Sequence, residues 1–208
     1  LFDEPSEIEI ESPVETESEA APPSLSRSLG IRSWLQDALE TLLLALIIFL
    51  VINTLTGRYQ VHGQSMEPNL RDGQYVLASK VTYWLQSPER GDVVVLDPPE
   101  AQGGIPYIKR IIGLPGDHVE VHDDRVWVNG TLLHEPYISI SPAYVGSWDL
   151  GTGEYFVLGD NRNNSSDSHR WGALPVENLI GKAVFCYWPP EHWGIMPHYT
   201  FPELANLP

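Results

Sequence analysis

The apolar positions of this chain fall into two patterns, one continuous and one alternating. Residues 42 to 52, "LLLALIIFLVI", are eleven consecutive apolar residues, and the span from Ala38 to Thr56 is interrupted only by Glu40, Thr41, Asn53, Thr54 and Thr56. A full bilayer crossing needs about 20 predominantly apolar residues, so the run is borderline on length alone. Its flanks favour the membrane: Trp34 and Tyr59 stand on either side as interfacial anchors, and a helix apolar on every face has none to offer to water. The pattern predicts one transmembrane helix and its flank over residues 34 to 57. Arg27 and Arg32 on one side are matched by Arg58 and Arg71 on the other, so positive charge does not fix its orientation.

From residue 58 onward the pattern changes. Short runs rich in Val, Ile, Tyr and Trp alternate with Gly, Pro, Asp and Asn, and no long segment repeats every 3.6 residues. This predicts a mostly β domain of short strands over residues 58 to 208. "RDGQYVLASKVTYW" reads as a turn and a strand, "RGDVVVLDPP" as a strand with a proline stop, and "YIKRIIGLPGD" as a strand and a turn. "HVEVHDDRVWVNGTLL" holds two turn signals, Asp123-Asp124 and Asn129-Gly130, the second of the kind that closes a type I′ hairpin. "YFVLGDNRNNSSDSHRWG" is a strand entering a polar loop. The aromatic-rich "FCYWPPEHWGIMPHYTF" suits edge packing ahead of contact with lipid headgroups.

Charge refines the picture at the N-terminus. The net charge is -16, but residues 1 to 20 hold eight acids and no Lys or Arg, so half of the imbalance belongs to that stretch. With its Ser and Pro it has the composition of a disordered acidic tail, expected over residues 1 to 33. It lacks the composition of a transit peptide or a secretory signal. An acidic surface argues against nucleic acid as a partner. The single cysteine, Cys186, has no partner for an intramolecular disulfide and reads as a small buried residue.

Chemistry concentrates in two residues. In a strand from Tyr107 to Ile112, Lys109 shares a face with Tyr107 and Ile111, while Ile108, Arg110 and Ile112 take the other. Apolar neighbours desolvate a lysine and lower its pKa, which is what a general base near neutral pH requires. Ser65 is a nucleophile in need of such a base. On their own, 44 positions apart, the two read first as a loop serine and a snorkelling lysine. Ser65 follows Thr56 by nine residues, at most about 30 Å of chain, which holds it near the end of the apolar helix. No G-x-S-x-G surrounds Ser65. His118 and His122 share a strand face but lack a recognisable third ligand, and "DNRNNSSDSHRW" departs from a calcium loop at Arg162 and Trp171, so no metal is expected.

Four segments in order, "GQSMEPNL" (63 to 70), "RGDVVVL" (90 to 96), "YIKRIIGLPGD" (107 to 117) and "GDNRNNSSDSHRWG" (159 to 172), resemble the sequence boxes of type I signal peptidases. With the preceding helix the resemblance spans about residues 38 to 190, and the "NNSSDSHRWG" form is most like cyanobacterial and thylakoid members. The resemblance implies a signal-peptidase-like β domain carrying Ser65 as nucleophile and Lys109 as general base. Ser165 matches the serine that contacts and orients that lysine, Asp167 the acid supporting this part of the site, and Arg110 with Asp160 a charged pair bracing two boxes. The oxyanion hole would use the Ser65 backbone N–H. Gly63 stands where some members have a second donor, a serine, so a backbone group or water is expected in its place. His169 replaces an Arg found in other members, which weakens the expectation of a strong salt bridge at Asp167. Val61, Met66, Leu70, Tyr107 and Ile108 match the walls of shallow substrate pockets.

The implied activity is removal of signal peptides from exported preproteins after an Ala-x-Ala-like motif, with no cofactor. The implied setting is a plasma or thylakoid membrane, in contact with lipid and near the export machinery, with the catalytic domain on the periplasmic or lumenal side. Two alternatives stand beside it. One is a self-cleaving Ser-Lys peptidase of the repressor type, which would need a DNA-binding helical domain ahead of the serine; the other is a membrane-anchored β domain that binds partners without catalysis.

Overall fold

The computed structural model describes residues 27 to 205 apart from residue 102, without the side chains of residues 27 to 32 and 101. Most of the expected acidic tail lies outside the described residues. The chain forms two compact units, one up to Leu46 and one from Ile47 onward. Helix α1 (Arg27–Leu55) starts before the expected Trp34 and contains an apolar stretch, Ser33–Leu55, long enough to cross a membrane. Every described side chain of α1 before Leu55 is exposed, as befits a helix apolar on all faces.

The strands follow in order as β1 (Thr56–Gln60), β2 (Tyr75–Ser79), β3 (Val93–Leu96), β4 (Tyr107–Gly113), β5 (His118–His122), β6 (Arg125–Val128), β7 (Thr131–Leu132), β8 (Gly146–Asp149), β9 (Glu154–Leu158), β10 (Leu174–Pro175), β11 (Leu179–Trp188) and β12 (Gly194–Ile195). One antiparallel sheet runs β1-β2-β11-β3-β4-β9-β10, with β12 also on β11; a second runs β7-β6-β5-β8. Two four-residue helices that the apolar pattern did not announce, α2 (Thr82–Leu85) and α3 (Ser168–Trp171), lie between strands.

The small sheet turns where expected. Asp123 and Asp124 both take positive φ between β5 and β6, and Asn129 and Gly130 do so between β6 and β7, the conformation that matches strand twist in a two-residue hairpin. In the large sheet β3 is buried on both faces, so its valines alternate between two cores. Val93 and Val95 join Val61, Met66, Ile108 and Cys186, whereas Val94 and Leu96 pack with Ile111, Val157 and Leu174. The C-terminal aromatics divide. Phe201 is buried and Tyr199 packs beside it, but Trp188 and Trp193 are more than half exposed, so packing accounts for only part of that segment.

Candidate active site

The centre of the site is set by register in the large sheet. Lys109 pairs with Val94 on β3 and shares its face with Tyr107 and Ile111, as alternation predicts. Its stem is therefore enclosed, and the residue is 3% exposed. The amine Nζ reaches Ser65 Oγ at 2.8 Å and the Ile108 carbonyl at 3.0 Å. Burial lowers the Lys109 pKa from 10.5 to about 8, while the charges of Asp167 and Asp160 oppose that shift. A neutral amine along the same 2.8 Å line can accept the serine proton.

The loop carrying Ser65 is held from behind by the loop that follows β9. Asn161 donates its backbone N–H to the Ser65 carbonyl at 3.0 Å, and its side-chain amide to the Gln64 carbonyl at 3.2 Å. Gly159 permits this approach: a Cβ there would lie 2.5 Å from the Ser65 carbonyl oxygen and 2.3 Å from Ser165 Oγ. The Ser65 backbone N–H donates to no group among the described residues and stays available to a developing oxyanion. Gly63 adopts φ +76°, gives its N–H to Asp72 at 2.7 Å, and has open space where a side chain would project.

Asp167 caps α3 and receives hydrogen bonds from the Gly159 N–H at 2.8 Å and the His169 ring Nδ1 at 2.6 Å. Burial pushes this carboxyl up, but hydrogen bonds led by His169 and Gly159 outweigh it and hold the group below its ordinary value. The His169 contact is thus short where a weak one was expected, and the ring is further fixed by stacking on Tyr144 at 4.0 Å. Ser165 Oγ is buried and steadies the Asp167 charge, yet completes no hydrogen bond of good geometry, whether with Asp167 or with Lys109. The lysine-orienting contact implied for Ser165 is absent from this arrangement. Arg110 and Asp160 form the expected pair, bidentate at 2.8 Å and fully buried.

A trough of about 320 Å³ passes over Ser65 and Lys109, bounded by Gln60–Met66 on one side and Ile105–Lys109 on the other. Val61, Met66, Tyr107 and Ile108 line it. Leu70 does not: it is buried in the core beside Met66 and supports the loop from beneath. β9 pairs with β4 only from Arg110 onward, so residues 105 to 109 keep a backbone edge facing the trough. Sequence reasoning missed Asn161, Gly159 and Asn69, which ties Asp160 to the Tyr137 carbonyl. All three lie inside the quoted segments, but nothing in their type revealed these backbone contacts. Glu89, Asp92 and His198 lie close enough to hold a cation, but the Lys182 ammonium already sits 2.6 Å from Asp92.

A serine hydroxyl bonded to a buried, easily deprotonated amine, at the floor of an open-edged trough on a β scaffold, defines the class: a site fit for serine-type hydrolysis of an extended chain. Residues 32–188 match the family described as "Signal peptidase, peptidase S26", and the chain belongs to that family. It is 42% identical over 171 residues to the "Probable signal peptidase I-2" of Synechocystis, covering 79% of this chain and 78% of the relative. It is 36% identical over 166 residues to the "Thylakoidal processing peptidase 1, chloroplastic" of Arabidopsis thaliana, covering 75% of this chain and 49% of that one. A crystal structure of a signal peptidase I from Enterococcus faecalis is 31% identical and covers 47% of this chain and 97% of its own, with a TM-score of 0.42. These relatives place the chain with signal peptidase I enzymes of the cyanobacterial and thylakoid type.

Proposed function

We propose that the protein is a membrane-anchored endopeptidase that removes signal peptides from preproteins after an Ala-x-Ala-like motif, with Ser65 as nucleophile and Lys109 as general base. The observation that carries this reading is the 2.8 Å contact between Ser65 Oγ and an amine whose burial brings its pKa to about 8. A preprotein segment in extended form adds to the free edge of residues 105 to 109, backbone pairing setting its register and the shallow trough admitting small side chains. Ser65 Oγ attacks the scissile carbonyl while Lys109 takes its proton, and the Ser65 N–H stabilises the oxyanion. Lys109 then delivers that proton to the leaving amine as the C–N bond breaks. A water molecule deprotonated by neutral Lys109 attacks the acyl-enzyme, and Ser65 leaves with its proton restored.

Helix α1 supplies the anchor, and the nearness of Ser65 to its end suits a substrate whose apolar segment remains in the bilayer. The catalytic domain is assigned to the periplasmic or lumenal side of a plasma or thylakoid membrane. Asp167, Arg110 and Asp160 support the site without touching the reacting atoms.

The test is cleavage of a purified preprotein with an Ala-x-Ala site by the full chain in detergent. Wild type cuts at that site, and Ser65→Ala and Lys109→Met each abolish cutting while remaining folded by circular dichroism. Cleavage that survives Ser65→Ala overturns the nucleophile, and a wild type inert toward several preproteins favours the non-catalytic alternative.

A further inference from the structure

A second cavity, of about 480 Å³, lies against the same serine loop and shares no residue with the trough. Its volume is within the range of about 300–1,000 Å³ usual for ligand pockets. Glu67, Arg71, Ser139, Ile140 and Asn161 line it, with Asp160. The loop after β9 contributes to both openings: Asn164 and Ser166 face the trough, whereas Asp160 and Asn161 face the cavity. Asn161 is also the residue that grips the Ser65 carbonyl. The two openings therefore flank the nucleophile.

The charges in this cavity are not equivalent. Asp160 is committed to Arg110 and Asn69. Among the described residues Glu67, half-buried and two residues beyond Ser65, makes no ion pair or side-chain hydrogen bond, and neither does the exposed Arg71 further along the loop. An unpaired carboxylate and an unpaired guanidinium, following the nucleophile in that order along the chain and lining one cavity, form a charge pattern open to a ligand.

Resting on the assignment of Ser65 as nucleophile, we propose that this cavity binds the first residues after the cut, and that its charges select among preproteins. If the acyl half of the substrate lies in the trough, the amine half must leave across Ser65 in the other direction, which leads here. Glu67 then favours a basic over an acidic side chain just after the cut, and Arg71 favours an acidic one further on. Small-residue recognition before the cut and charge recognition after it are thereby separate functions of separate walls.

The test uses the full chain in detergent with synthetic peptides identical up to an Ala-x-Ala site and carrying Lys, Gln or Glu at one of the first three positions beyond it. Wild type should prefer Lys over Glu nearest the cut by about three- to tenfold in kcat/KM, the range for a partly screened charge pair. Glu67→Gln should flatten that preference and Glu67→Lys should reverse it, while Arg71→Glu should reverse the preference for acid at the outer position. Because each result is a ratio between peptides on one preparation, partial misfolding of a variant cancels. Efficient cleavage with no charge dependence beyond the cut, or a dependence that survives both charge reversals, overturns the proposal while leaving the nucleophile intact. A wild type that cuts no peptide overturns the assignment of Ser65 and this proposal with it.

Discussion

Lys109 and Arg110 are adjacent on β4, both almost wholly buried, and they point to opposite faces of the sheet. Arg110 is surrounded by partners: two bonds to Asp160, the carbonyls of Gly91 and Pro197, and the rings of Tyr137 and Tyr199 within 5 Å of its guanidinium carbon. Among the described residues Lys109 touches no carboxylate: it bonds to a hydroxyl and a carbonyl, with the Tyr107 ring 5.1 Å from its amine. Burial is common to both, so burial alone does not decide a cation's role. What decides it is whether the fold supplies a counter-charge at contact distance, which fixes a brace on one face and leaves the amine proposed as base on the other.

The largest effect separating the two faces is expected from Lys109→Met. Activity should fall by about 10³-fold or more, since the base is lost. Stability should rise at the same time. The Lys109 pKa is lowered on folding, so the folded state bears the full cost of the buried ammonium below about pH 8, and the cost is relieved as pH climbs towards 10.5. At about 1.4 kcal/mol per unit of pKa, the variant should gain about 3–4 kcal/mol at neutral pH, and the gain should vanish in strong alkali. Denaturant titrations at pH 7 and above pH 10 check both the size and the sign. Arg110→Met should do the reverse, destabilising by about 3–5 kcal/mol because it leaves Asp160 buried and unpaired.

A subtler change sharpens the comparison. With Lys109 as base, log kcat/KM should climb with pH and level off above about 8. Asp167 is near enough to raise the Lys109 pKa without contacting it. Asp167→Asn removes that charge, so the amine should deprotonate more readily and the rising limb should move to lower pH, even though the weakened bonds to Gly159 and His169 reduce the maximum rate. A limb that stays in place would mean that Asp167 acts through structure alone.

The sequence announced the two faces of β4 but not their partners. Alternation placed Lys109 with Tyr107 and Ile111 because side-chain direction in a strand is a local property. That β11 would enter between β2 and β3, or that Asn161 would grip Ser65, depends on contacts across the whole domain, which no local pattern encodes. Ser65 and Lys109 could be linked beforehand only through resemblance, since 44 residues of separation carry no distance. α2 and α3 were missed because four residues are too few to display a helical period. Leu70 lies in the core beneath the trough, not on its wall: position in a motif tells neither which way a loop residue faces nor what backs it.

The smallest effect tests Ser165, whose buried hydroxyl lies on the Lys109 side without a settled partner among the described residues. An ammonium has three donors, and Lys109 uses two on Ser65 Oγ and the Ile108 carbonyl. Once Lys109 holds the serine proton its third N–H needs an acceptor, and Ser165 Oγ is a buried hydroxyl without a hydrogen bond. If it turns to the ammonium at that moment, it stabilises the charged form only during reaction, the kind of interaction that raises kcat. Ser165→Ala should then leave unfolding free energy within about 1 kcal/mol of wild type, because no hydrogen bond of good geometry is lost and only a weak influence on Asp167 is removed. It should lower kcat by about tenfold with little change in KM, and leave the pH limb of kcat/KM in place, since the acceptor is engaged only during reaction. A variant destabilised but kinetically unaltered would place Ser165 among the packing residues and leave the Lys109 ammonium, unlike Arg110, with only two hydrogen-bond partners.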